Sequence, residues 1–379
     1  MIISGLSGNE IYCLAQKGFA PGKIVVGNSV YSLGAIGGFT SSLKAMAGGE
    51  IGEITSLISE GRHAAISRLV HEAQEQKALG VTGVTSELKN IGTMKEFLAV
   101  GTAIHSSGGT SGFFTTACSG QDLYCQIDAG YEPRHFVMGN VAYAMGIGRG
   151  ITGMLRTMAG GEVREYSDMY NHTRHLALQR LEQEAVACGA NAVVDVTTKI
   201  LNFGPGVREM LMVGTASHHA ELGSAKTPMT SELTGEELWN ITQLGYAPLR
   251  LVLGSSVYSL GFGGGFAAFF RSFSRGEVNE VSRLVYQARE NCLRHIHDDA
   301  VAINAHGVIG VKVFIYEIGS GMVEVMAIGT AIRRADGVKT QTSQLIPQAI
   351  IRDRDTYFDD LHHGPAAGLH RPEQGQGAH

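Results

Sequence analysis

The chain has 379 residues, 44% of them apolar and only 17% charged, with a formal net charge of -5 and a pI near 6.3. That length holds two or three ordinary domains, and that charge sets up no field to attract a polyanion, which excludes nucleic acid as a general partner. So thin a charged surface on so apolar a chain favours buried contacts between subunits.

The opening Met1-Ile2-Ile3-Ser4-Gly5 has no basic stretch leading into an apolar one, so no secretory signal is expected. No charge-free apolar run reaches the roughly 18 residues of a spanning helix, so no transmembrane segment is expected either. Five cysteines, an odd number in a long chain, speak against a disulfide framework and for a cytoplasmic location. Cys13 and Cys125 hold matching places, but Asn240 stands at the third, so no shared metal or redox role can rest on those thiols.

In chain order, Ser7-Gly8-Asn9-Glu10 is a capping-box pattern opening a short helix, and it returns as Ser119 to Asp122 and Thr234 to Glu237. A turn follows each helix, at Gly18-Phe19-Ala20-Pro21, Gly130-Tyr131-Glu132-Pro133 and Gly245-Tyr246-Ala247-Pro248. The run Lys23 to Val26 predicts a buried strand that ends in a Gly-x-x-x-Tyr pattern, Gly27 to Tyr31, repeated at Gly139 to Tyr143 and Gly254 to Tyr258. The segment 31–46 is glycine-rich yet apolar at helical intervals and predicts a weak helix held by packing; its third copy carries Phe262, Phe266, Phe269, Phe270 and Phe273.

Past the Gly48-Gly49-Glu50 turn, whose copies are Gly160-Gly161-Glu162 and Gly276-Glu277, the pattern lengthens into an amphipathic helix. Ile51, Ile54, Ile58, Ala65, Leu69 and Ala73 form its apolar stripe, matched by Val163, Tyr166, Tyr170, Ala177, Leu181 and Ala185. Roughly 28 residues long, it would span about 42 Å. It is expected to close at Gly80, Gly189 or Gly307. Two strands follow, Val81 to Leu88 and Phe97 to Ile104 in the first copy, the second ending in a Gly-Thr-Ala triplet.

The copies lie 112 and 115 residues apart, which is the size of a domain rather than of a solenoid repeat. The fold class is therefore α+β in three tandem repeats of a small domain, each with a short capped helix, a strand, a Gly-rich helix, a long amphipathic helix and two strands. The expected boundaries are 1–106, 107–219 and 220–333, with a flexible tail over 334–379. The joints at 105–118 and 217–233 read as polar and flexible, long enough that successive domains need not touch.

The second copy is the most specific. Its run Arg174-His175-Leu176-Ala177-Leu178, then Cys188-Gly189-Ala190-Asn191-Ala192-Val193-Val194-Asp195-Val196, then Glu209-Met210-Leu211-Met212-Val213-Gly214-Thr215-Ala216 resembles the YbjQ-type family of heavy-metal-binding domains. The resemblance extends from about Gly130 to Ser217, more weakly in the other copies, and leaves out the capped leading helix. It implies a small α+β domain that forms homopentameric rings, with no ligand motif to transfer residue by residue.

His172 and His175, at i and i+3 on the long helix, have a spacing that can hold a divalent metal, the one cofactor suggested. The first copy retains His63 at the position of His175 but has Glu60 at that of His172, and the third has Gln287 and Glu290. Charged residues recur in all three: Glu50, Glu53, Arg62 and Glu96; Glu162, Glu165, Arg174 and Glu209; Glu277, Glu280, Arg289 and Glu324. The arginine and the first carboxylate of each set, 12 residues apart, would be about 18 Å apart along a helix and cannot pair within it, so these residues predict an oligomer interface in which charges pair across a subunit boundary.

No Gly-x-Ser-x-Gly elbow, Walker loop or His-Glu-x-x-His is present, and an enzyme is the least supported reading. The leading expectation is a non-catalytic self-assembling homo-oligomer, a ring, stacked ring or closed shell, with the tail free for a cargo or partner protein. Five does not divide by three, so whole chains cannot close one five-domain ring without leaving domains over. A metal-ion or small-ligand binding protein is the alternative, and a peripheral membrane-surface assembly built on the Phe262 to Phe273 segment is the third.

Overall fold

The computed structural model describes residues 1–32, 49–106, 112–144, 161–204, 206–222, 227–259, 279–319, 322–335 and 337–345. The first repeat runs through α1 (Gly8–Gln16), β1 (Phe19–Ser32), β2 (Gly49–Glu50), α2 (Gly52–Glu75), β3 (Gly80–Ile91) and β4 (Met94–Ser106). Next come β5 (Phe114–Thr115), α3 (Gly120–Asp128), β6 (Glu132–Ala144), β7 (Gly161–Glu162), α4 (Arg164–Ala187), β8 (Ala192–Gly204) and β9 (Val207–His218). The third repeat is β10 (Met229–Thr230), α5 (Gly235–Gln243), β11 (Tyr246–Ser259), α6 (Asn279–Ala302), β12 (Gly307–Gly319) and β13 (Met322–Arg334). This is the triplicated α+β architecture expected from the sequence. The glycine-rich segments expected to be helical lie outside the described residues over 33–48, 145–160 and 260–278, as do the phenylalanine segment and residues 352–379 of the expected tail.

The leading helices start as their sequence dictates. Ser7 Oγ accepts the Glu10 N–H while the Glu10 carboxylate accepts the Ser7 N–H, and Thr234 and Glu237 do the same for α5. At α3 the partner is one methylene shorter: Ser119 Oγ accepts the Asp122 N–H and donates to the Asp122 carboxylate at 2.6 Å. There the reciprocal backbone bond of the full box gives way to a bond between the side chains.

Each long helix covers its own sheet, and glycine makes the approach possible. A Cβ on Gly27 would lie 2.0 Å from the Ala65 carbonyl oxygen, and one on Gly139 2.0 Å from that of Ala177, so the strand must be bare where the helix backbone crosses it. The predicted stripe is buried in both repeats, from Ile51 to Ala73 and from Val163 to Ala185. The helices are shorter than expected, 24 residues each. The second closes at Gly189 as expected, with φ of 72°; the first and third close not at Gly80 and Gly307, which open the next strand, but at a left-handed residue three positions earlier, Lys77 and Asn304, with φ of 56° and 55°. Only the middle copy uses glycine there, which is why glycine alone misplaced the other two ends.

The sheets interlock. Each has three long antiparallel strands, in the orders β1-β4-β3, β6-β9-β8 and β11-β13-β12. The Gly-Glu turn of one repeat then adds a short antiparallel strand to the next repeat's sheet, β2 on β6 and β7 on β11. In the reverse direction β5 pairs in parallel with β3, and β10 with β8.

The described parts of the two joints are therefore not loose. Phe114, Thr115, Thr116 and Cys118 are buried against the first repeat, and Met229 to Leu233 against the second. Backbone bonds from Thr116 N to Val81 O and from Ser231 N to Val193 O fix them, so successive repeats touch closely. Composition suggested a linker because the apolar anchors are few and set among Ser, Thr and Gly. The first residues after the third repeat are held as well: Gln341 N donates to Asp128 O at 2.7 Å and Thr342 Oγ1 to Asp128 Oδ2 at 2.8 Å.

Candidate functional site: buried ion pairs at the repeat seams

The seams between repeats are built by the long helices. On α2 the positions Thr55, Ser59, Arg62 and Ile66, and on α4 Ser167, Asn171, Arg174 and Leu178, follow an i, i+4, i+7, i+11 spacing that puts them on one stripe. That stripe faces the first long strand of the next repeat, β6 or β11, and its arginine reaches past that strand to β9 or β13.

At the first seam Thr55 Oγ1 accepts the Ala142 N–H at 2.9 Å. Arg62 reaches Glu209 of β9 through two parallel bonds, Nε to Oε1 at 2.9 Å and Nη2 to Oε2 at 2.6 Å, while Nη1 donates to Ser86 Oγ. Neither side chain is exposed. At the second seam Ser167 Oγ accepts the Val257 N–H at 2.9 Å, and Arg174 Nη2 donates to Glu324 Oε1 and Oε2 at 2.9 and 2.7 Å. Asn171 binds the Ser255 backbone twice, its amide donating to the carbonyl and its oxygen accepting the N–H.

The Arg174 guanidinium lies over the rings of Tyr143 and Tyr170, at 4.9 and 5.0 Å from their centroids. Burial works to lower its pKa, but the Glu324 carboxylate and the Tyr143 phenol outweigh that and raise it, so the guanidinium stays charged. Desolvation on this scale is tolerable only because both charges are paired and hydrogen-bonded.

Of the interface residues expected from the sequence, Arg62 and Arg174 meet carboxylates of the next repeat within the same chain. Glu209 and Glu324 lie in the last strand of the following repeat, whereas Glu50 and Glu162 ring the seams: Glu50 pairs with Arg180 at 2.8 Å, and Glu162 accepts from Ser167, Ser256 and Asn291. Glu53 and Glu165 are exposed in the first turns of α2 and α4. Arg289 is exposed on α6, Glu280 belongs to the first turn of that helix, and Glu277 lies outside the described residues. Tyr143, Tyr170 and Ser86 were missed because an apolar or small residue beside a helix reads as core.

A further contact ties all three repeats to one carboxylate. Asp128 of α3, fully buried, receives Lys17 Nζ at 2.7 Å from the first repeat and Trp239 Nε1 at 2.7 Å from the third. Burial acts to raise its pKa, and Lys17, Trp239 and Thr342 outweigh that and hold it low.

The histidines behave differently from a metal pair. His175 Nδ1 lies 2.8 Å from the Asn171 carbonyl and its Nε2 3.5 Å from Asp299 of the third repeat, while His172 is exposed. Its counterpart His63 pairs with Glu184 across the first seam at 2.7 Å. Among the described residues no three His, Cys, Asp or Glu side chains gather as a heavy-metal site requires. All five cysteines are free, four of them buried.

The sequence profile of the family described as "Putative heavy-metal-binding" (YbjQ_1) matches residues 20–107, 130–220 and 240–335. The chain belongs to the YbjQ family. The first two matches in this YbjQ chain begin after the leading helix, and the third begins inside it, at residue 240 of Gly235–Gln243. Among relatives, a Mycobacterium tuberculosis protein named "Encapsulin nanocompartment protein Rv1762c" is 32% identical over 238 residues, 59% of this chain and 88% of its own. Single-repeat relatives include a "UPF0145 protein" of Methanoregula boonei, 42% identical over 81 residues, covering 21% of this chain and 68% of its own. A second, "UPF0145 protein TK1926" of Thermococcus kodakarensis, is 42% identical over 85 residues, covering 22% and 75%. Among the described residues no helix is long and apolar enough to cross a membrane.

Proposed function

We propose that this chain is a non-catalytic structural subunit that assembles with copies of itself into a cytoplasmic scaffold, a ring or a closed shell. The observation that carries the reading is the seam itself, made twice in one chain by the same stripe of a long helix on the same strand of the following repeat. A module that binds its own kind head to tail in this way is the unit from which rings and filaments are built. The name of the mycobacterial relative supports the same reading. The polypeptide beyond the third repeat is then the segment available to a cargo or partner protein.

Native mass spectrometry and cryo-electron microscopy of the purified chain test this. A closed particle of many chains supports it, and a monomer at micromolar concentration removes it. The family description favours a second reading, a bound divalent metal, for which His172 and His175 are the candidate ligands from the sequence. It predicts stoichiometric metal after purification without chelators, lost on His172→Ala with His175→Ala.

A further inference from the structure

The three repeats present three copies of each half of a seam, and only two of each are used. The helix stripe of the third repeat is Ser282, Tyr286, Arg289 and Leu293, at the same spacing as Ser167, Asn171, Arg174 and Leu178. Ser282, Tyr286 and Arg289 are exposed, and Arg289 has no carboxylate partner among the described residues. At the other end of the chain the receiving face stands bare. Ile24, Val26 and Val30 of β1 are 38%, 45% and 46% exposed, whereas their counterparts Phe136, Met138 and Ala142, and Leu251, Leu253 and Val257, are at most 5% exposed. Glu96, which stands where Glu209 and Glu324 stand, is only half-buried and among the described residues meets only the Asn28 amide, at 3.0 Å.

We propose that the bare face of the first repeat is the docking site for the long helix of the third repeat of a second copy, with Arg289 of that copy closing on Glu96. This deepens the self-assembly reading and rests on it. Complementary halves left over at opposite ends make the contact head to tail, so it continues the interface already present inside the chain. Ser282 takes the role of Ser167 and accepts the Val30 N–H, as Ser167 accepts that of Val257. The exposed apolar face of β1 is covered as β6 and β11 already are. Every closed ring made this way contains a multiple of three repeats.

One register position opposes the contact. Where His63 meets Glu184 and His175 meets Asp299, the third repeat carries Glu290, which would face Glu72 of the second copy. Two carboxylates there weaken the joint without changing its geometry, which leaves the contact between chains looser than the seams within them.

The test is a charge exchange on the full chain, read by native mass spectrometry and light scattering. Arg289→Glu and Glu96→Arg should each weaken association about a hundredfold or more, since each sets like charges together in a desolvated contact. Both positions are solvent-accessible within one chain, so each variant should keep the circular dichroism of the wild type. An equimolar mixture of the two variants should regain the assembly, because each then meets only the opposite charge. A wild-type monomer sinks the self-assembly reading and this contact together. A wild-type oligomer that both variants leave intact, or that the mixture fails to restore, overturns this contact alone.

Discussion

Arg174 and Glu324, 150 positions apart in the chain, meet with bonds of 2.7 and 2.9 Å while neither side chain touches solvent. Their relationship is that of Arg62 to Glu209, repeated one domain further on. The pair therefore belongs to the joint between modules rather than to either module.

Removing one partner should cost far more than removing both. Arg174→Ala leaves the Glu324 carboxylate buried and uncompensated, a loss of about 3–5 kcal/mol. Replacing both by leucine removes the desolvation penalty along with the attraction, and should cost less than either single change. Urea unfolding of Arg174→Ala, Glu324→Ala and the double leucine variant decides it. A single variant within about 0.5 kcal/mol of wild type would mean that the pair contributes nothing to the joint.

Asp128 is the second place where the repeats are held to one another, and it acts on the opposite end of each module from the arginines. Asp128→Asn removes the charge that Lys17 pairs with and the acceptor that Trp239 and Thr342 share. We expect a loss of about 2–4 kcal/mol. Because the folded pKa lies below the unfolded one, this contribution is present above the unfolded value and is lost as pH falls through the folded value. The variant should therefore be less stable than wild type at pH 7, and the gap should narrow towards acid. A constant gap from pH 7 to pH 3 in thermal unfolding would contradict the assignment.

Much of this architecture was legible in the sequence because it is written three times. The capping hydroxyls, the apolar stripe from Ile51 to Ala73, and the glycine at Gly27, Gly139 and Gly254 each answer a local demand: an orphan amide, a face to bury, a backbone crossing. The recurrence of Arg62, Arg174 and Arg289 was visible too. What could not be read was which carboxylate each arginine meets, since helix spacing fixes only neighbours within one element and Glu209 is 147 positions from Arg62. The joints were misread for a related reason: four or five buried residues such as Phe114 and Met229 outweigh a polar composition once a neighbouring strand is there to receive them.

Glu232 gives a pH dependence of the opposite sign. Buried beside the third repeat's hairpin, with Lys312 3.4 Å from one oxygen, its carboxyl is pushed up to about 7 by burial, Lys312 opposing that only in part. The folded state then holds a proton that the unfolded state has released, so stability from this group is present in acid and is lost as pH rises through about 7. Glu232→Gln should accordingly be close to neutral at pH 5 and stabilising at pH 8, by about 1–3 kcal/mol. Equal effects at the two pH values, measured by urea unfolding, would show that the carboxyl is ionised throughout.

The opposed carboxylates at the contact between chains yield the last prediction. Glu290→His restores at that contact the side chain that His63 provides inside the chain, where Glu184 accepts from it and raises its pKa. Those partners are partly exposed, so the gain is that of a screened pair, about two- to fivefold in association. A histidine whose pKa is raised by its partner contributes while protonated, so the gain should be largest near pH 6 and fade by pH 8. Sedimentation velocity of wild type and variant at the two pH values measures it. If Glu290→His leaves association unchanged at pH 6 while Arg289→Glu abolishes it, the helix docks through its arginine but in a register different from that of the two seams inside the chain.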